Sequence, residues 1–381
     1  MNTKLRPTRF QLAGLTLLDV GALRNETHVS LMSADGKPVN IYLIMGPNGA
    51  GKTTILESIY TAMHLLDARE HASYGMDTLD HHGGGIQLDA VVALDDGVHS
   101  RLFVLSIIAG TPGLLLNWTK KQLSEVGAET QIMLFYKRRP SDKTVARSAE
   151  SHPEAVSFAE SILEGKDEQP AALCDEGNGF PTVLYFPSDR GIRRPPEGDR
   201  AVTRPDGLGY QAAHRFDADG STWASSIDNL FVWFTWLNDG REEVCREMVN
   251  RLIFRQKKFL RAVDRPNLRV PVEVDGGETH RLDQLSSGER QLVQLVVRVA
   301  SHMTGSTIVL IDETEQHLHL LMRRRLINII KQWARDYEGM GFILTSHQAD
   351  SMRMLAPKLV EPGLVKGGCL VKPKFKLSHG K

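Results

Sequence analysis

The sequence predicts an α/β fold with a nucleotide-binding core, and three observations support this prediction. An apolar run of strand length, Asn40–Met45, is followed at once by a glycine-rich loop and then by helical periodicity over 52–66. Towards the other end the predicted order is helix, strand, helix, strand, and both strands are short and apolar. Between these parts lie a β-hairpin pattern and helix-like stretches. This order is typical of an α/β core that other elements interrupt.

The elements before residue 190 are mostly predicted strands. Alternating apolar residues and intervening turn signals predict a sheet of the hairpin type, with Asp95-Asp96-Gly97 as its strongest turn signal. The predicted strands are 10–18, 28–32, 86–94, 99–105 and 182–186, with 114–119 and 131–137 as candidate additions and 153–163 as a helix. Residues 165–181 are predicted to be a polar linker.

The elements after residue 190 begin with a loop rich in glycine, proline and arginine over 187–211. Residues 221–263 are helix-like, with a break at Asp239-Gly240. The predicted elements that follow are a hairpin beginning with 268–274, a helix over 288–303, and strands over 307–311 and 342–345.

Composition excludes several classes of protein. The 381 residues include 46 Lys and Arg and 46 Asp and Glu, so the net charge is zero and any surface for nucleic acid must be local. The three cysteines, Cys174, Cys245 and Cys369, form no CxxC pair, which fits a reducing cytoplasm rather than a disulfide framework. We find no apolar signal-peptide core at the N-terminus and no run near ~18 apolar residues, so we expect a cytoplasmic protein without a membrane span.

The glycine-rich loop matches the pattern GxxxxGK[ST] in full, between a predicted strand and a predicted helix. Its glycines let backbone N–H groups surround phosphates, and the helix N-terminus adds partial positive charge. We expect Lys52 to reach the β- and γ-phosphates and Thr53 to offer its hydroxyl to Mg²⁺. The predicted phosphate-binding residues are Gly46, Pro47, Asn48, Gly49, Ala50, Gly51, Lys52, Thr53 and Thr54.

Two acids follow the apolar strand over 307–311. Asp312 would lie at the carboxyl edge of the sheet, where ligands bind in open α/β sheets, and suits Mg²⁺ directly or through water. Glu313 would point to the other side and suits a general base that activates water. A solvated acidic turn is the alternative for these two residues taken alone.

Two further motifs carry a family resemblance. Leu285-Ser286-Ser287-Gly288-Glu289-Arg290-Gln291 resembles the signature motif of ABC ATPases, and His347, after the next apolar strand, stands where those ATPases have their switch histidine. The resemblance implies an ABC-ATPase head: a P-loop core with an antiparallel β-subdomain, plus a helical second lobe. On this basis we predict residues 1–190 as the N-terminal part of the ATPase lobe, 191–270 as a mainly helical insertion, and 271–381 as the C-terminal part of the core.

The details resemble the SMC-like branch, which includes the ATPases of overcoming-lysogenization-defect nucleases and many phage-defence ATPases. The similar stretches are Asp312–His319 and Tyr185–Arg190, whereas Thr314 and Leu320 depart from prolines of that branch. A Q-loop glutamine is not identifiable, with Gln87 and Gln131 as open candidates. Relatives often carry a fused nuclease domain, and no such motif stands out in this chain.

The resemblance implies a mechanism shared by two chains. Two heads would sandwich two ATP molecules with Mg²⁺, and His347 would contact the γ-phosphate or the attacking water. The signature residues Ser286, Ser287, Gly288 and Glu289 of one chain would cap the γ-phosphate bound by the other, although a simple helix cap is the alternative for the serines. The implied role is a sensor or scaffold working with a separate effector, such as a nuclease, in antiphage or anti-plasmid defence. A DNA-repair ATPase and a transporter subunit are the alternatives.

Basic and aromatic residues in the second lobe suggest further contacts. Helical spacing predicts a basic stripe that could hold a phosphate backbone, with a solvated helix face as the alternative. Its residues are Arg251, Arg255, Lys258, Arg261 and Arg265. Trp223, Trp233 and Trp236 are assigned to packing rather than base stacking, and His81-His82 to a loop rather than a metal site.

Overall fold

The computed structural model describes residues 6–67, 71–73, 84–95, 99–110, 116–138, 144–168, 179–198, 200–255, 257–274, 276–355 and 360–372. Two large sheets and a small one organise these residues. In this part of the chain, no helix is long and apolar enough to cross a bilayer.

A six-stranded parallel sheet forms the core and carries the order of strands and helices predicted from the sequence. Its strands, in spatial order, are β10 (Ala213–Arg215), β9 (Pro181–Phe186), β14 (Ser306–Ile311), β15 (Gly341–Ser346), β3 (Ile41–Met45) and β16 (Lys366–Leu370). Every neighbouring pair is parallel, so the carboxyl ends of all six strands meet at one edge. The sheet therefore brings the segments that follow β3, β9, β14 and β15 together.

The second large sheet is mostly antiparallel and corresponds to the predicted β-subdomain. Its order is β2 (Leu23–Ser30), β1 (Arg6–Val20), β5 (Gly85–Asp95), β6 (Ser100–Gly110), β7 (Thr130–Arg138), β8 (Thr144–Arg147) and β4 (His71–Ser73). Only the pair β6 and β7 is parallel. Residues 116–119 form no strand, so that part of the expected extension is wrong. Residues 114, 115 and the hairpin turn at Asp96-Gly97 lie outside the described residues.

The helices cover both faces of the parallel sheet. They are α1 (Lys52–His64), α2 (Lys120–Val126), α3 (Pro153–Glu168), α4 (Ile227–Leu237), α5 (Arg241–Val249), α6 (Ser287–His302), α7 (Leu320–Asp336) and α8 (Ala349–Met354). Side chains on a strand alternate between faces, and here they feed two separate cores. Ile44 and Leu310 pack towards α1 and the antiparallel sheet, whereas Leu43 and Ile311 pack towards α4 to α7. The fold class predicted from the sequence is confirmed.

The second lobe is less helical than expected. The break at Asp239-Gly240 is confirmed, since α4 ends at a left-handed Asn238 and α5 begins after Gly240. The helix does not continue to residue 263, however. A π-helix (Asn250–Phe254) follows α5 and ends at Arg255, whose φ is +48°. A small antiparallel sheet then forms from β11 (Lys258–Leu260), β12 (Val272–Val274) and β13 (Thr279–His280). The division of the chain into three segments stays a prediction.

Candidate functional site

The phosphate loop connects β3 to α1, and its backbone explains its glycines. Gly49 and Gly51 have φ of +75° and +95°, a region that side chains with a Cβ avoid. A Cβ on Gly46 would lie 2.6 Å from the carbonyl oxygen of Val371, next to β16. Lys52 is buried, and its Nζ donates a hydrogen bond to the carbonyl of Pro47 across the loop at 3.0 Å. The loop is thus shaped as a cradle of backbone N–H groups with one buried cation.

Asp312 lies at the carboxyl end of β14 and is held from two sides. The hydroxyl of Thr53, the second residue of α1, donates to Asp312 Oδ2 at 2.8 Å. The hydroxyl of Thr345, on the neighbouring β15, donates to Asp312 Oδ1 at 2.5 Å. The structure therefore brings the two predicted Mg²⁺ ligands, Thr53 and Asp312, into direct contact.

Glu313 follows Asp312 with an unusual backbone conformation. Its φ of +45° is uncommon for a residue with a Cβ, and such residues cluster at functional sites. Its N–H donates to the hydroxyl of Thr345 at 2.7 Å. The hydroxyl of Thr345 thus contacts the side chain of Asp312 and the backbone of Glu313.

Arg190 contacts the backbone of these two acids, and no role was predicted for it from the sequence. The residue is buried, and its guanidinium donates to the carbonyl oxygens of Pro187, Asp312 and Glu313. Burial lowers the pKa of Arg190 to about 10, against the charges of Asp312, Glu315 and Glu313, which raise it. In the sequence, Arg190 could have been found only as the last residue of the stretch Tyr185–Arg190. The parallel pairing of β9 and β14 places this stretch beside the acidic strand end.

His347 follows β15 and contacts a buried acid. Glu315 Oε1 lies 2.7 Å from His347 Nδ1 and accepts a hydrogen bond from the His347 backbone N–H at 2.7 Å. The Glu315 side chain is only 2% exposed and that of His347 is 38% exposed. Sequence reasoning placed His347 in the site but gave Glu315 no role of its own.

The signature residues begin α6, and Ser286 forms the helix cap that was the alternative to a signature role. The Ser286 hydroxyl accepts from the Glu289 N–H and donates to Glu289 Oε2, while Ser287 is exposed. The pKa of Glu289 is lowered overall. Burial alone would raise it, but hydrogen bonds from Lys258 and Ser286 together have the larger effect. Gly288 lies against the loop after the acidic strand, since a Cβ there would be 3.2 Å from Leu318 Cδ2. Among the described residues, no hydrogen bond joins Ser286–Glu289 to the phosphate loop.

The basic stripe is not the helix face that its spacing predicted. Arg251 lies in the π-helix, Arg255 ends it, and Lys258 belongs to a strand, because the left-handed Arg255 terminates the helix. Lys258 pairs with Glu289 and Arg261 with Glu273. Arg251, Arg255 and Arg265 are exposed and form no ion pair with any residue that the structure describes.

The remaining candidates are distributed as follows. Gln87 and Gln131 both hydrogen-bond the carbonyl of Leu116 within the antiparallel sheet, and neither bonds to the phosphate loop. Trp223 is buried and donates to the carbonyl of Ala201, which fits the packing assignment. Trp236, by contrast, is 60% exposed and lies against Trp233. His81-His82 and Cys174 lie outside the described residues.

Comparisons with known sequences give two partial matches. Residues 203–352 match a family model described as "AAA domain, putative AbiEii toxin, Type IV TA system". The chain is 27% identical over 160 residues to the phosphonates import ATP-binding protein PhnC of Lactiplantibacillus plantarum, covering 36% of this chain and 62% of that protein. The match therefore spans less than two thirds of that relative's length.

Two solved structures are distant likenesses of the fold. The SMC head domain from Thermotoga maritima has a TM-score of 0.36 at 13% identity, over 90% of this chain and 92% of that chain. The Smc head domain from Pyrococcus furiosus, bound to the C-terminal domain of ScpA, has a TM-score of 0.41 at 10% identity, over 91% and 92%. The phosphate loop and the acidic strand end fit an ATP-binding ATPase, and the family model that matches residues 203–352 is described as an AAA domain.

Proposed function

We propose that this protein hydrolyses ATP to ADP and phosphate at the site formed by the phosphate loop and the ends of β14 and β15. The observation that carries this proposal is the position of Asp312, held between Thr53 of the loop and Thr345 of the next strand. A hydroxyl and a carboxylate in contact beside a cradle of N–H groups fit Mg²⁺ and a nucleotide phosphate. Thr53 and Asp312 would hold the metal, which would neutralise developing negative charge on the phosphates.

The protein's own groups have separate tasks in this reaction. The loop Gly46–Thr54 and Lys52 bind and orient the phosphates. Glu313 accepts the proton of the attacking water. His347 contacts the γ-phosphate or that water. Arg190 fixes the backbone from which both acids project, because it binds both their carbonyls.

We further propose that two chains complete each site. Ser286 and Ser287 are exposed at the start of α6, where a helix N-terminus favours an anion. With Gly288 and Glu289, they would cap a γ-phosphate bound by a second copy, so the active form is a homodimer or a larger assembly. ATP would join the two heads, and hydrolysis would release them.

The biological role that we propose is a cytoplasmic nucleotide-driven sensor or scaffold for a separate effector in antiphage or anti-plasmid defence. The description of the matched family, a toxin of a type IV TA system, favours this role over transport. The likeness to a phosphonate import protein keeps a transporter subunit as the less favoured alternative, since it covers only 36% of the chain.

The test is steady-state phosphate release by the purified protein with Mg-ATP, with and without linear double-stranded DNA. Lys52→Ala serves as the blank. Release that requires Lys52 supports the proposal, and release equal to that of the blank contradicts it. Strong stimulation by DNA would favour a DNA-sensing or repair role, and indifference to DNA would favour control by a protein partner.

Direct DNA binding in repair is the second candidate, favoured by Arg251 and Arg255. Both residues are exposed. Burial lowers the pKa of the nearby Arg325, and the positive charge of Arg255 lowers it further. If they neutralise phosphates, the double variant Arg251→Gln/Arg255→Gln should reduce the slope of log K against log salt by roughly two. Arg261→Gln is the matched control, since Arg261 is already paired with Glu273. Equal slopes for the double variant and wild type would exclude this surface.

A further inference from the structure

Glu315 is a buried acid to which the proposed mechanism gives no task. It lies three residues after Asp312 in the loop that follows β14, and its side chain is 2% exposed. A buried carboxylate is costly unless hydrogen bonds and opposite charge compensate it. The groups that hydrogen-bond to the Glu315 carboxylate therefore indicate which part of the site it stabilises.

Three of these contacts come from two residues. Oε1 accepts the backbone N–H of His347 and faces His347 Nδ1, each at 2.7 Å. Oε2 accepts the hydroxyl of Thr314 at 3.1 Å. Arg190 adds a positive charge nearby, since Glu315 raises the pKa of that guanidinium. One carboxylate oxygen thus holds both the backbone and the ring of His347.

Thr314 supports this arrangement in a way that a proline could not. Its backbone N–H donates to the carbonyl of Thr345 at 3.1 Å, which ties the loop after β14 to the end of β15. Proline has neither this donor nor a hydroxyl for Glu315. Threonine at position 314 therefore provides one contact that ties the loop to β15 and one that Glu315 accepts.

The contact also decides which ring nitrogen of His347 can act on substrate. Both oxygens of Glu315 accept hydrogen bonds, Oε1 from the His347 N–H and Oε2 from the Thr314 hydroxyl, so Nδ1 facing Oε1 is the donor and carries the proton. The second nitrogen, Nε2, is left to meet the γ-phosphate or the water, as in other sites where an acid orients a histidine.

We propose that Glu315 is a positioning residue for His347, holding the ring with its proton on Nδ1 so that Nε2 is presented to the reacting phosphate. This inference rests on the proposed ATPase function and adds to it an acid that acts only through the histidine. Glu315 does not touch substrate, so its loss should matter only while His347 is present.

The test combines kinetics with the state of the imidazole ring. We would compare Glu315→Ala, His347→Ala and the double variant, with Glu315→Gln as the conservative control. Glutamine keeps an oxygen for His347, and its amide can donate to the Thr314 hydroxyl. We expect Glu315→Ala to lower kcat about 10- to 100-fold with little change in KM, as for other groups that orient a functional histidine. The double variant should be no slower than His347→Ala, and Glu315→Gln should recover most of the rate.

The ring itself is observed by ¹⁵N NMR of labelled histidine in the protein without nucleotide. Wild type and Glu315→Gln should show His347 protonated at Nδ1, and Glu315→Ala should lose this preference. If Glu315→Ala fails to fold, Glu315→Asp, which withdraws the carboxylate by one methylene, replaces it.

Two results would overturn the inference: a double variant slowed by the product of the two single effects, or a His347 ring that carries its proton on Nε2 in wild type. A wild-type protein without ATP turnover would instead refute the proposed function. The NMR measurement would still decide the contact between Glu315 and His347.

Discussion

At the scale of single residues, one hydroxyl group organises both acids of the site. Thr345 donates to Asp312 and accepts from the Glu313 N–H, so its loss would release the proposed metal ligand and the proposed base together. We expect Thr345→Val, which has nearly the same shape, to lower the ATPase rate about 10- to 100-fold, the range typical of groups that orient ligands. Thr345→Ser keeps the hydroxyl and should stay close to wild type. Phosphate release measures both, and an active Thr345→Val would refute this role.

The residues of the site differ in how readily sequence predicts them. Lys52, Thr53 and Asp312 were proposed from the sequence alone, because binding a phosphate and a metal would require such residues at these positions, whatever the rest of the fold. Arg190 and Thr345 serve the site through contacts between strands that are distant in sequence, such as Arg190 with the backbone of Glu313. No local pattern records such contacts, so they appear only once β9, β14 and β15 are placed side by side.

A second prediction at this scale concerns Asp228, a buried acid outside the site. Burial raises its pKa to about 6, although its carboxylate accepts the N–H of Val270 at 2.8 Å. The raised pKa favours the folded state only while Asp228 is protonated, so this contribution is present below about pH 4 and is lost as the pH rises through 6. Asp228→Asn keeps an acceptor for Val270, so we expect it to raise the free energy of unfolding at pH 8 by about 1–3 kcal/mol.

Denaturant unfolding at pH 4 and pH 8 measures this effect, which should be small at the lower pH. Asp239→Asn is the control of opposite sign, because a hydrogen bond from Arg241 lowers the pKa of Asp239. An Asp228→Asn variant less stable than wild type at pH 8 would show that the charged carboxylate is needed.

At the scale of elements, patterns dominated by apolar burial were predicted well. Strands β9 and β14 are buried along their whole length and β15 beyond its first residue, and their runs of apolar residues indicated them directly. The segment after α5 was predicted wrongly, because charge spacing alone suggested a helix. There, Arg255 adopts a left-handed conformation and the chain turns into β11. A side chain holds this turn, and the spacing of charged residues does not reveal its role.

That side chain is Asn250, which closes the loop between the π-helix and β11. Its Oδ1 accepts the N–H of Leu260 at 2.6 Å and its Nδ2 donates to the carbonyl of Leu260 at 3.1 Å. Leu260 is 1% exposed, so no water replaces these bonds readily. We expect Asn250→Ala to cost about 2–4 kcal/mol, because two buried backbone groups lose their partner. Thermal unfolding measures the cost, with the exposed Asn267→Ala as a control that should change little; equal stability of Asn250→Ala and wild type would contradict the assignment.

At the scale of the whole molecule, the pairing of strands that are distant in the chain could not be predicted from the sequence. Strand β16, near the end of the described chain, joins the parallel sheet beside β3 and packs its following residue, Val371, against the first glycine of the phosphate loop. Likewise β1 pairs with β5 along almost its full length. Such pairings depend on the complete chain, whereas the fold class followed from the order of its local elements.

The proposed two-chain site gives a prediction at this scale. Lys52→Ala removes a chain's own phosphate contact, and Ser286→Arg blocks its signature surface. Each variant alone should be inactive, but in a mixed dimer one site has an intact loop and an intact signature. We therefore expect the equimolar mixture to regain measurable turnover. A mixture as inactive as its parts would argue that the signature does not act between chains.

The most direct test of the central claim, that Glu313 activates water for ATP hydrolysis beside Asp312, compares wild type with Glu313→Gln. Glutamine preserves the size of the side chain and the backbone contact with Thr345 but cannot take a proton. The measurement is phosphate release at saturating Mg-ATP, with nucleotide binding determined on the same samples. We expect Glu313→Gln to bind ATP as wild type does and to lose at least about 100-fold in turnover, the lower range for a general base. Wild-type turnover in Glu313→Gln would contradict it.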